Sequence, residues 1–148
     1  MSSIHTIALA LLLFQFIPSL CSKTPEITKV KVPLYIRQSW LKATSHIFTT
    51  CICSSGVNST TAYNAIMFSD LIEDAYLKCF INCLNVNLNL MECTTGDFIE
   101  EEHYRLLEGC TPHIFKKCER RTRNFVDLCE KSFHMLMCII ESLGEPAL

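Results

Sequence analysis

Apolar residues recur along this chain at spacings of three and four, the mark of helices that bury one face, and no strand signal accompanies them. A first helix is expected from Ile36 to Cys51, with Ile36, Trp40, Ile47 and Cys51 near one face and Gly56 where a helix stop belongs. Asn58 or Ser59 can cap a short second helix through Ala62, Ala65 and Ile66. The third is the clearest. Asp70 with Glu73 has capping-box spacing, and two adjacent rows follow: Leu71, Ala75, Cys79, Cys83 and Ile72, Tyr76, Phe80, Leu84. In "TTGDFIEEEHYRLLEG", Asp97 and Glu100 predict another cap, Glu100 to Glu102 sit at the positive end of the helix dipole, and Gly109 stops the helix. Thr111 and Pro112 open the next. A last helix carries Phe125, Cys129, Phe133, Leu136 and Ile140 on one stripe and ends at "GEP". Five or six short helices predict an all-α domain.

The N-terminus reads differently. "IALALLLFQFI", Ile7 to Ile17, has the length of a signal-peptide core and is too short to span a bilayer. Small residues at Ser19 and Cys21 predict cleavage after Cys21. Residues 1–21 are therefore expected to be a signal peptide, and residues 22–148 one domain whose first part, 22–35, is an irregular arm. With 13 basic against 15 acidic residues, nothing in the charge calls for nucleic acid or an anionic membrane. The run "KKCERRTR" is read as a solvated turn. The expected product is extracellular, with no stable membrane insertion.

Secretion changes what the ten cysteines mean. Removal of Cys21 leaves nine, so at least one is unpaired or links two chains, and a dimer through it is one expected assembly. Cys79 and Cys83 lie on one helical face with Cβ bonds pointing the same way, which rules out a bridge between them. A shared zinc would need two further ligands, and no compact histidine pair offers them. The redox motif has two intervening residues, not three. Each is a staple to a different element. Cys129 and Cys138 are half a turn out of phase and leave opposite sides of the last helix.

Six cysteines, Cys51, Cys79, Cys83, Cys118, Cys129 and Cys138, are separated by 27, 3, 34, 10 and 8 residues. This spacing, with "CICSSGV" around the first, resembles the insect odorant-binding proteins of the pheromone and general odorant-binding family. The resemblance covers residues 36 to 145. It implies a six-helix fold around an apolar pocket, without catalysis or cofactor, and the pairing Cys51 with Cys83, Cys79 with Cys129 and Cys118 with Cys138. Cys93 and Cys110 flank the fourth helix and are candidates for a fourth bridge, Cys93 to Cys110, which leaves Cys53 odd.

The function expected on this basis is a secreted carrier for odorants, pheromones or other small hydrophobic compounds, with a membrane chemoreceptor as a candidate second partner. The alternatives are a secreted helical interaction or signalling protein without a pocket, and a carrier in a non-olfactory secretion. Expected wall residues are Phe68, Ile81, Leu84, Met91, Phe98, Phe115, Phe133, Met137 and Ile140. The histidines His46, His103, His113 and His134 are read as surface residues. Protonation of His113 or His134 is a candidate trigger for release, with Ala147 and Leu148 closing the pocket mouth; the alternative is that all four histidines are solvated and titrate without consequence. No catalytic constellation can be defended from spacing, so no enzyme, metal or cofactor is expected. Asn58-Ser59-Thr60 is a glycosylation sequon.

Overall fold

The structure, a computed structural model, describes residues 30–146. The expected signal peptide, residues 22–29 of the arm, and Ala147 and Leu148 lie outside them. Among the described residues, seven helices follow one another: α1 Leu34–Thr44, α2 Phe48–Ser55, α3 Ser59–Phe68, α4 Ala75–Asn87, α5 Glu100–Leu106, α6 Pro112–Thr122 and α7 Leu128–Leu143. The all-α expectation holds, with one small addition. Val30–Lys31 (β1) pairs antiparallel with Glu145–Pro146 (β2), so the two ends of the described chain meet. Val32 is fully buried, and Arg37 Nε donates to its carbonyl at 2.8 Å.

The expected first helix is broken in two by its own hydroxyls. Thr44 Oγ1 donates to Trp40 O and Leu41 O, and Ser45 Oγ donates to Lys42 O at 2.8 Å. Side chains that capture carbonyls in this way compete with the helix ladder. The chain turns over Ser45 to Ile47 and restarts at Phe48.

Caps place the other helix starts. Asn58 Oδ1 accepts from Thr60 N and Thr61 N, and Thr111 Oγ1 accepts from Ile114 N, as expected. Asp70 does not cap α4. Asp74 does, accepting from Leu77 N at 2.7 Å, and residues 69–74 are not helical. Nor does Asp97 cap α5, because its backbone is already engaged. Met91 and Phe98 form a bridge, and Glu92 N donates to Asp97 O at 2.8 Å. Phe125 lies before α7, which Asp127 caps at Glu130 N.

α4 and α7 pack along each other as the spine. The buried face of α4 is Leu77, Phe80, Ile81, Leu84 and Asn85, one position round from the rows expected. Ile72 and Tyr76 are exposed. Each disulfide links elements already in contact. Cys51–Cys83 joins α2 to α4, Cys79–Cys129 joins α4 to α7, and Cys118–Cys138 joins α6 to α7. Beside the central bridge, Lys78 Nζ reaches Glu73 at 2.6 Å and Glu130 at 2.8 Å, and lies over the Phe133 ring. The fourth bridge is not formed. Cys93 is free and exposed, Cys110 is free and buried, and Cys53 is free and exposed. The loop after α4 turns back to pair 91 with 98, and this leaves Cys93 on the surface while Cys110 enters the core.

Candidate functional site

A cavity of about 40 Å³ lies inside the spine. Ile81, Leu84 and Asn85 of α4 face Met135, Leu136 and Ile139 of α7 across it. Trp40 and Thr44 of α1, Ile66 of α3, Leu88 and Leu90 after α4, and His103 and Leu107 at the α5 end complete the wall. A water needs about 10–15 Å³ by such a measure, whereas drug-sized ligands sit in pockets of roughly 300–1,000 Å³. The cavity is therefore water-sized as it stands, with a wall built mainly of aliphatic side chains.

Its polar groups are few and specific. Trp40 Nε1 donates to Glu108 O at 3.1 Å, so the indole is anchored rather than available. The Thr44 hydroxyl is spent on carbonyls of its own helix. His103 is 1% exposed, with Nδ1 2.9 Å from Ile99 O. A carbonyl only accepts, so Nδ1 carries the hydrogen and Nε2 is left as a lone-pair acceptor. Burial pushes the His103 pKa below its ordinary value, against a smaller opposing pull from the Ile99 bond, which keeps the ring neutral at pH 7. Asn85 is 8% exposed, and its side-chain amide has no hydrogen-bond partner among the described residues. The cavity thus offers a neutral acceptor and an amide that both donates and accepts.

A model of the PBP/GOBP family matches residues 37–142, well over half of the chain. The chain belongs to the insect pheromone and general odorant-binding protein family. No curated protein and no solved structure matches it. Pheromone and general odorant-binding proteins are binding proteins, not enzymes, and are secreted, and the three disulfides fit an extracellular chain. Among the described residues, no helix is long and apolar enough to cross a membrane, and no group of His, Cys, Asp or Glu could hold a metal ion.

Of the residues expected in the wall of this odorant-binding protein, Ile81 and Leu84 line the cavity. Met91, Phe133 and Ile140 are buried and Met137 partly buried in the surrounding core, but none of the four lines it. Phe98 and Phe115 line a separate surface cleft, their rings edge-on to His103 at 5.5 and 4.9 Å between centroids. Phe68 is 57% exposed and packs on Tyr63, because α3 ends there and the chain turns outward through Ser69 at φ 56°. His103 is the reverse case, expected on the surface and found in the core. His134 stacks on Phe125 at 4.5 Å and lies 3.4 Å from Glu130, and His113 is exposed in the first turn of α6; neither lines the cavity. Asn85, Leu88, Met135 and Ile139 went unread as wall, although they continue the spacing of Ile81 and Leu136.

Proposed function

We propose that this protein is a secreted carrier that reversibly binds small lipophilic molecules bearing one polar group, in the cavity between α4 and α7. The observation that carries this reading is an apolar wall that includes two polar residues, His103 with its Nδ1 spent on Ile99 O and Asn85 with a side-chain amide that bonds to no other described residue. A hydrogen bond between either and a bound hydroxyl, or between the Asn85 amide and a bound carbonyl, adds about 0.5–1.5 kcal/mol to the burial of the ligand's apolar body. Family membership supports the same reading. Entry of a ligand larger than water requires the wall to move, and the flexible side chains of Met135, Leu88, Leu90 and Leu107 permit this.

The small volume is the observation that favours the alternative, a secreted module recognised by its surface. A fluorescent naphthylamine probe distinguishes the two. The carrier binds it with micromolar affinity, about −8 kcal/mol, and releases it to long-chain alcohols or esters. Alkanes of equal length compete less well, and Asn85→Leu narrows that difference. If no apolar compound competes, the carrier reading fails and the surface module takes its place.

A further inference from the structure

The basic run on α6 divides between two surfaces. Lys117 Nζ donates to Ser142 Oγ at 3.1 Å and Arg121 pairs with Glu141 at 3.0 Å, so both are taken up by α7. Lys116, Arg120 and Arg123 instead face a cleft of about 520 Å³, within the range of ligand sites and far larger than the internal cavity. Phe98 and Phe115 contribute apolar surface to the same cleft, and Lys131 of α7 reaches it from within.

Lys131 is the unusual member. It is 8% exposed, its ammonium lies 5.4 Å from the Phe98 ring centroid, and among the described residues it has no ion-pair or hydrogen-bond partner. The stem is buried while the ammonium opens to the cleft with no anion beside it, and one aromatic face compensates only in part. The cleft's own acids do not supply that anion. Glu119 lies 3.8 Å from Arg123, and Glu100 accepts from the Tyr104 hydroxyl. Asp97 and Glu100, which keeps its charge, stand against Lys116, Arg120 and Lys131, so the cleft carries one net positive charge.

We propose that this cleft is a second binding site, for an organic carboxylate with an apolar body. The carboxylate meets Lys131 in the field of Lys116 and Arg120, and the body lies against Phe98 and Phe115. The two rings beside the charge select an amphiphile over a bare inorganic anion. The site does not depend on the internal cavity, from which the His103 ring separates it.

Calorimetric titration of the full chain with decanoate, decan-1-ol and inorganic phosphate tests this. Decanoate should bind, weaken several-fold from low salt to 0.5 M NaCl, and weaken about tenfold in Lys131→Met, with recovery in Lys131→Arg. Decanol affinity should be unchanged in these variants, and millimolar phosphate should not displace decanoate. Lys116→Gln with Arg120→Gln, both exposed, gives the same weakening for decanoate without touching a buried position. Decanoate affinity indifferent to Lys131→Met and to the double variant, or full displacement by phosphate, would overturn the proposal. Decanoate bound while decanol is not would support the cleft and remove the internal-cavity reading.

Discussion

Replacing His103 by Phe keeps a ring in the core and removes its titration. In the native chain His103 is buried between Phe98 and Phe115, and its pKa lies below the ordinary 6.5 because burial disfavours the charged form. The sign follows directly. Below pH 6.5 the unfolded chain takes up a proton that the folded chain resists, so stability falls as pH drops and is unaffected by this group well above 6.5. The unfolded-state titration alone caps the loss at pH 5 at about 2 kcal/mol, with a limiting slope of about 1.4 kcal/mol per pH unit. The substitution also removes the Nδ1 bond to Ile99 O, but that carbonyl still accepts from the His103 backbone N–H at 3.2 Å. At pH 8 the variant should therefore be about 1 kcal/mol less stable than the native chain. Urea unfolding at half-unit steps from pH 8 to pH 5 should show the native chain losing stability faster, so the gap closes or inverts by pH 5. Two curves that stay parallel across that range would refute the reasoning.

Removing the central staple with Cys79→Ala and Cys129→Ala frees a loop of 50 residues, which should cost about 4 kcal/mol in urea unfolding. A loss below about 1 kcal/mol would mean that α4 and α7 are held by their packing alone. Ile81→Ala, at a position 1% exposed in the cavity wall, should destabilise by about 3 kcal/mol and bind decanol more tightly, because the wall then has less to move. Weaker decanol binding in that variant would contradict a ligand in this cavity.

Much of the fold was legible because helix periodicity and cysteine spacing are local patterns. The Asn58 and Thr111 caps follow from chemistry within three residues, and the resemblance implied the three bridges now seen between α2, α4, α6 and α7. Misreadings arose where a competing bond nearby took over a cap's role. Asp97 has a cap's spacing, but its backbone pairs with Glu92, and Asp70 loses its role to Asp74. Thr44 and Ser45 end α1 through bonds to its own carbonyls, a local signal that apolar spacing hides. The wall was the least legible. Ile81 and Ile140 carry the same periodicity, yet only Ile81 meets the cavity, since which buried face meets a void is decided by helix packing. His103 and Asn85 are polar residues enclosed by elements far from them in sequence, and composition gave them no mark.

Trp40 offers the most direct test of the carrier. It is the single tryptophan of the chain, 2% exposed, and it forms part of the cavity wall. A bromine-tipped long-chain alcohol bound in the cavity must come close to the indole, so titration should quench Trp40 emission saturably, with a micromolar midpoint, and the unbrominated alcohol should reverse it. Calorimetric binding of the same alcohol with Trp40 emission unchanged would contradict the internal site, as would the absence of any quenching up to the solubility limit.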